Sequence, residues 1–403
     1  KWTVEYVKDP KTASPNASIL AQVQSVEVVD PLTARFHTTQ TWPALPADLS
    51  TIQIYSKTAT HDQITTKPNG TGPFMWKEYI PGDHISIVKN PNYWLPGLPL
   101  LDQIDFRPIK EKSTSLSVMQ AGDADVFFTP ELKDKPTIDS DPNLKSAVAL
   151  LNDLGYITYI NNSRAPMNDQ NVRLAVQYAM DRQTFFDAFL PGSQGTKNPS
   201  PWEKSHWAYN PINDTAFDYS LDQAKSYLEK AGYTNGKKAD GTQLSIDFVY
   251  PKGYPELKQG AEMFQAAMKQ LNVNVKVEEL ELATWIDRIV THPDFDMSWD
   301  QHGQRTVDPA WTLSLAFFFP PGPQNINKYH DDQIEQLISQ GGSELDQNKR
   351  KEIYYQFQAR WNEIAPGIIM GAGILYHCLN KAVEGFHTHP LYFQDFRTVW
   401  LNK

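Results

Sequence analysis

The chain has 403 residues, 40% of them hydrophobic and 21% charged, with a formal net charge of −10. That acidic balance, with no clustered Lys and Arg, excludes nucleic acid and anionic membrane as partners, because both demand concentrated positive charge. No apolar run reaches the ~18 residues of a membrane span, so no transmembrane helix is expected, and the length exceeds what one core supports, so two or three domains are.

The opening run Lys1-Trp2-Thr3-Val4-Glu5-Tyr6 begins inside an apolar periodic pattern without the features of an export signal, and reads as an element whose start lies upstream. Val26 to Val29, Thr33 to Thr38, Thr51 to Tyr55 and His84 to Val88 are rich in β-branched residues and read as strands. Pro81-Gly82-Asp83 forms a turn between Phe74–Tyr79 and Ile85–Val88. Residues 1–100 are therefore expected to form a β-rich subdomain. A short helical pattern from Ser113 to Ala121 ends at Gly122, and Val126-Phe127-Phe128 follows as a buried strand.

From about Tyr156 the pattern turns helical. Asp169 stands at a cap position before the stripe Val172, Ala175, Val176, Ala179 and Met180, and Ser220 with Gln223 precedes Leu221, Ala224, Leu228 and Ala231, closed by Gly232. Leu244, Ile246, Phe248 and Tyr250 then alternate as a strand, Glu256 to Leu271 carries a helical stripe, and Val273, Val275 and Val277 alternate again. Strand, helix, strand at this spacing is a βαβ crossover and predicts an α/β domain with parallel pairing. Helices are predicted over Ala283–Val290, Gln333–Ser339 and about Asn348 to Ile364, and strands over Ile368–Tyr376 and Phe393–Leu401. The one cysteine, Cys378, lies in an apolar run and reads as a buried, inert thiol.

No phosphate loop, Gly-x-Gly-x-x-Gly, Gly-x-Ser-x-Gly or His-Glu-x-x-His is present, so no catalytic residue, metal or cofactor is nominated. His387-Thr388-His389 offers two imidazoles without a third ligand and reads as a surface loop. Asp331-Asp332, just ahead of a predicted helix, reads as a cap. The segment from Phe295 to Trp311 is different: a short apolar strand opens into Gln301, His302, Gly303, Gln304 and Arg305, between Trp299 and Trp311. Polar groups among aromatics at the end of a strand suit a small-molecule site in an α/β domain, and an ordinary surface loop equally fits the same letters. Phe317-Phe318-Phe319 reads as core.

Several segments, in order along most of the chain, resemble the family 5 extracellular solute-binding proteins of peptide, opine and nickel ABC importers. They are Gly70-Thr71-Gly72-Pro73-Phe74, Asn90-Pro91-Asn92-Tyr93-Trp94, Met119 to Asp125, Asn171 to Arg182, and Ala382-Val383-Glu384-Gly385-Phe386. The resemblance implies a class II periplasmic-binding-protein fold: α/β, two lobes and an additional β-rich subdomain. Residues 101–155 with 371–403 would form the core of the first lobe and 156–370 the second. Crossing strands would fall near Gly155–Asn161 and Gly373–Asn380. It also implies an N-terminal segment before Lys1, a periplasmic location or a lipoprotein on a Gram-positive envelope, no catalysis, and permease subunits of an ABC importer as partners.

In the peptide-binding members, the loop matching Gln301–Pro309 supplies an aspartate that pairs with the ligand's amino terminus. Aligned on Asp308-Pro309, that position here is Arg305. A guanidinium cannot pair with an ammonium but can hold a carboxylate or phosphate in a fork, so the expected solute is peptide-like, opine-like or otherwise anionic. Its expected contacts are Arg305 for the charge, Gln301, His302 and Gln304 as hydrogen-bonding groups, and Trp299 and Trp311 as stacking walls. A hydrolase would instead need two carboxylates facing one another across a cleft, and an interaction protein a large exposed apolar patch.

Overall fold

The computed structural model describes every residue except 60, 110–113, 151–154, 190–196, 303–305, 315–317, 321–324, 390–393 and 403. The chain divides into two compact units, one formed by Lys1–Ala149 with Leu375–Lys403, the other by Leu150–Ile374.

The first unit carries, in order, α1 (Trp2–Lys8), β1 (Val23–Asp30), β2 (Thr33–Thr38), α2 (Leu45–Leu49), α3 (His61–Thr66), β3 (Phe74–Ile80), β4 (His84–Lys89), β5 (Gln103–Phe106), α4 (Ser115–Ala121), β6 (Val126–Phe128), α5 (Lys135–Ser140) and β7 (Leu144–Leu150). β1 and β2 form an antiparallel hairpin, and β3, β4 and β5 an antiparallel sheet. The turn between β3 and β4 uses Gly82 at φ 80°, where a side chain would be strained. Gly122 closes α4 in the left-handed region as its position predicts; Ser113 lies outside the described residues. The strand expected over Thr51–Tyr55 does not form. Ser50 and Thr51 donate their hydroxyls back to Ala47 O at 2.6 Å and Asp48 O at 2.7 Å, and the Tyr55 N–H goes to Thr3 Oγ1 at 3.1 Å. Local side-chain bonds thus take the place of a strand partner.

The second unit contains β8 (Gly155–Ile160), α6 (Gln170–Ala179), α7 (Arg182–Phe189), α8 (Leu221–Lys230), β9 (Ser245–Pro251), α9 (Pro255–Gln270), β10 (Asn274–Leu280), α10 (Leu282–Ile286), β11 (Met297–His302), α11 (Pro309–Leu313), α12 (Asp332–Ser343), α13 (Gln347–Ile364) and β12 (Gly367–Gly371). The predicted crossover is β9–α9–β10, with the two strands parallel from Asn274↔Ser245 to Leu280↔Pro251. The five-stranded sheet runs β10-β9-β11-β8-β12; β11 is parallel to β9, and β8 is antiparallel to both β11 and β12. Caps sit where the spacing puts them: Asp169 accepts from Asn171 N at 2.8 Å, Ser220 from Gln223 N at 3.2 Å and Asp331 from Ile334 N at 2.9 Å. The helix predicted at Ala283 is α10, which runs on into a π-helical turn over Asp287–Thr291.

Both faces of this sheet are covered, which is why β8 is buried at every position. On one face Tyr156, Phe185, Phe248, Phe264 and Trp299 pack together. On the other, Ile157, Tyr159, Trp202, Trp285, Phe318, Phe319, Tyr354, Phe357 and Trp361 form a second core. Each such side chain contributes roughly 1.5–3 kcal/mol through burial. α6 is fastened to the last turn of α13, and α7 to β12, by buried cations that donate to backbone and amide oxygens. Arg173 donates to Ile364 O and Met167 O, and Arg182 to Ile369 O, Phe217 O and Gln177. Burial pulls the Arg182 guanidinium down to about 10, still charged at neutral pH.

The chain then returns to the first unit through β13 (Ile374–Asn380), β14 (Val383–Glu384) and β15 (Trp400–Leu401); β13 is the middle strand of β6-β13-β7. The single strand expected over Ile368–Tyr376 is therefore two strands in different sheets, parted at Gly371, φ 140°. Of the strand expected over Phe393–Leu401 only Trp400–Leu401 forms; Phe393 lies outside the described residues. Cys378 is 1% exposed, and burial raises its thiol to about 11.

Candidate functional site

β11 ends at His302, at the carboxyl end it shares with its parallel neighbour β9, the edge at which open α/β sheets place ligands. Alternation along β11 decides where each side chain goes. Ser298, Asp300 and His302 share one face and Trp299 and Gln301 the other.

Trp299 is fully buried. Its indole stacks on Phe248 at 5.9 Å, tilts against Phe185 at 5.1 Å, and presses on Gly260, where a Cβ would come within 2.2 Å of the ring. Both faces of this ring are taken, so the structure places Trp299 in the core rather than as an exposed stacking wall. Gln301 is half-buried, its N–H donating to Asp300 Oδ1 at 2.8 Å, and Trp311 is half-buried on α11. Gln304 and Arg305 lie outside the described residues.

His302 belongs to a polar cluster that sequence reading did not assemble. Its Nε2 lies 2.8 Å from Tyr159 Oη and 3.0 Å from Asp300 Oδ2, and Tyr159 donates to Asp300 Oδ2 at 3.2 Å. Tyr159 is buried, whereas the His302 and Asp300 side chains keep 24% and 19% of their exposure, so solvent or a solute reaches them. Burial, and then the Asp300 charge, raise the Tyr159 hydroxyl well above its ordinary value, which keeps it a neutral donor.

Beyond the undescribed positions the chain is pinned again. Asp308 caps α11 through Ala310 N at 2.9 Å, and its two oxygens take both Nη atoms of Arg350 at 2.8 and 3.0 Å. Arg350 also donates to Gly341 O at 2.9 Å and Tyr354 Oη at 3.0 Å, and the Tyr354 hydroxyl donates to Gly341 O at 2.8 Å. Burial alone would lower the Arg350 guanidinium; the Asp308 carboxylate outweighs it and the net shift is upward. His206 holds the preceding residue: Nδ1 accepts from Ala208 N at 3.2 Å, which leaves Nε2–H to donate to Val307 O at 3.0 Å. Burial lowers its pKa, keeping the imidazole neutral. Trp202 and Trp207 flank His206, and the Arg350 guanidinium lies 5.4 Å from the Trp207 ring. The signal available in the letters was the cluster Trp202, His206, Trp207; nothing local announced Tyr159, Arg350 or Tyr354.

Two cavities lie elsewhere. One, in the first unit, encloses about 760 Å³ between apolar walls that include Phe74, Phe106, Phe128 and Phe396. On its wall His377 Nδ1 accepts from Thr129 N at 3.3 Å, so Nε2 carries the proton. The Gln394 amide 3.0 Å away must therefore turn its oxygen to that side. The other, in the second unit, encloses about 210 Å³ beside Asp181, Lys197 and Asp218. Neither is lined by the residues the sequence nominated, and the larger offers hydrophobic volume but no uncompensated charge, its Arg397 being paired with Asp395. Among the described residues no group of three or more His, Cys, Asp or Glu is placed to hold a metal ion, and no helix is long and apolar enough to cross a membrane.

The profile described as bacterial extracellular solute-binding proteins, family 5 Middle, matches residues 1–322. Heme-binding protein A of Haemophilus influenzae is 27% identical over 393 residues, covering 94% of this chain and 70% of the relative. A dipeptide-binding protein of Pseudomonas aeruginosa is 27% identical over 330 residues, covering 81% of this chain and 60% of the relative. The solved structure of HbpA2 from Haemophilus parasuis superposes with a TM-score of 0.83 at 23% identity, over 100% of this chain and 82% of that one; at that identity the likeness speaks for the fold.

Proposed function

The chain belongs to the family 5 bacterial extracellular solute-binding proteins, a family of binding proteins and not of enzymes, and from that premise we propose that it captures a small anionic solute outside the cytoplasm and delivers it to the permease of an ABC importer. Binding without chemistry fits the site as built: a neutral tyrosine, a histidine and a carboxylate, held for recognition.

The observation that carries the anionic reading is the cation Arg305, in the segment that follows β11, at the position where the family resemblance expects an aspartate. Its fixed charge is proposed to meet a solute carboxylate or phosphate, with Gln301, His302 and Gln304 as hydrogen-bonding groups and Trp311 as the aromatic contact. Asp308, three residues further on, is held by Arg350 in a bidentate fork. The relatives named for dipeptides support the scale of the solute; the Arg305 cation argues for a peptide-like compound with a blocked amino end or an added acid group, or for an opine-like one.

Native mass spectrometry of the protein as purified, with release of any bound compound, tests this directly. An anionic compound retained by the wild type and lost by Arg305→Ala is the expected result. A neutral or cationic compound retained equally by both would sink the anionic assignment while leaving a binding protein; turnover of a substrate would sink the binding-protein role itself. The proposed compartment is the periplasm, or a lipid-anchored position on a Gram-positive envelope. Release by osmotic shock without detergent, against retention with the membrane, separates the two.

A further inference from the structure

We propose that Asp300 is a subsite for a protonated amine, so that the captured solute carries a basic nitrogen as well as its acid groups. This deepens the solute-binding reading and rests on it; the groups that form the subsite are Tyr159 on β8 and Asp300 and His302 on β11.

Four carboxylates of the second unit whose side chains are 21% exposed or less each face an arginine: Asp247 faces Arg288, Asp296 faces Arg164 at 3.1 Å, Asp308 faces Arg350 at 2.8 Å and Asp331 faces Arg360 at 2.6 Å. A shielded charge is costly unless a counter-charge stands beside it. Asp300 differs: its side chain is 19% exposed, and no lysine or arginine lies within ion-pair distance among the described residues. Its side-chain partners are the Tyr159 hydroxyl, kept neutral by burial, at 3.2 Å and His302 Nε2 at 3.0 Å, and both approach Oδ2. Among the described residues Oδ1 takes only the Gln301 N–H at 2.8 Å, and a carboxylate oxygen can accept a second hydrogen bond. Oδ1 is thus the atom left for a donor on the solute. Its place in the fold lets a solute reach it. Asp300 lies two residues before the carboxyl end of β11, and across the ladder from Asp300 and His302 stand Ile157 and Gly155, the second of which brings no side chain. A single carboxylate beside a phenol and an imidazole suits a protonated amine, which needs one counter-charge and a few acceptors. A metal ion needs a fuller set of ligands, and no group of three or more is gathered among the described residues. Of the solutes considered above, a peptide with an added acid group and an opine-like compound keep that nitrogen, whereas one with a blocked amino end loses it.

Isothermal titration calorimetry with alanyl-alanyl-glutamate and with its N-acetylated form, which lacks the ammonium, tests the subsite. The wild type is expected to bind the free peptide about tenfold more tightly than the acetylated one. Asp300→Asn keeps the shape of the side chain and removes its charge. It is expected to erase that preference, weakening the free peptide about tenfold and leaving the acetylated one within about twofold, so that the acetylated peptide also reports a folded variant. A wild type indifferent to acetylation, equal weakening of both peptides by Asp300→Asn, or a wild type that binds neither peptide overturns the proposal. Arg305→Ala keeps this failure distinct from failure of the anionic reading. Weakening of both peptides alike by that variant supports the acid contact, whereas unchanged binding of both sinks the anionic reading and leaves the amine subsite to be decided by acetylation and Asp300→Asn.

Discussion

Two carboxylates eight residues apart in sequence, Asp300 and Asp308, differ in how they are held. Asp308 keeps 11% of its side-chain exposure and is locked, a cap and half of an ion pair at once. Asp300 is more open, touched by one neutral hydroxyl, its own neighbour's N–H and the His302 ring. A fork to a buried guanidinium makes an anchor, while greater exposure beside uncharged donors makes a surface that a ligand can still reach. The difference separates structure from reception within a single short stretch of chain.

The sharpest way to break that contrast is to strip the anchor. Arg350→Ala leaves the Asp308 carboxylate buried without its partner, and stability measured by urea unfolding is expected to fall by about 3–5 kcal/mol. Gly341→Ala attacks the same anchor sterically; displacing the Tyr354 ring is expected to cost about 1–3 kcal/mol in the same measurement. Tyr159→Phe probes the receptive side. Loss of one hydroxyl bonded to Asp300 and His302 costs about 1 kcal/mol of stability, and solute retention in native mass spectrometry is expected to suffer more than the melting temperature.

The smallest expected effect is one of pH. Because the folded pKa of His206 lies below its ordinary value, the unfolded chain binds the proton more readily. Its contribution is therefore complete above about pH 6.5 and is lost as pH falls below that. His206→Gln, whose amide can donate to Val307 O and accept from Ala208 N without titrating, is expected to flatten the fall in melting temperature between about pH 7 and 5.5. An unchanged slope would mean that other groups govern it.

What the letters revealed and what they concealed follows the same divide between local and distant causes. α6, α8 and the β9–α9–β10 crossover were legible because caps and periodicity are local properties. Trp299 was nominated as a wall because an aromatic beside polar residues resembles a pocket. Its burial follows from strand alternation and from the space left by Gly260, 39 residues earlier, which only the packed sheet reveals. The Asp308 partner lies on α13, 42 positions along the chain, and the partner of His302 on β8, 143 away, so neither could be inferred without the fold. Asp331 was legible as a cap, but not its second role as the partner of Arg360.

The pairing of Gly155 with Gly371 closes β8 against β12, so the second unit begins and ends at one place; a Cβ on Gly155 would lie only 2.3 Å from Gly371 O. As the chain leaves the ribosome, this gives the two units different timetables. The second unit has its entire sheet once β12 has emerged. The first, although most of its residues are made earlier, lacks β13, the middle strand of its own small sheet, and must wait for Trp400–Leu401 before β15 can pair with β14. A nascent chain halted after β12 is therefore expected to resist protease across 155–371 while 1–149 is still cut, reversing the usual order in which the earlier-made part folds first.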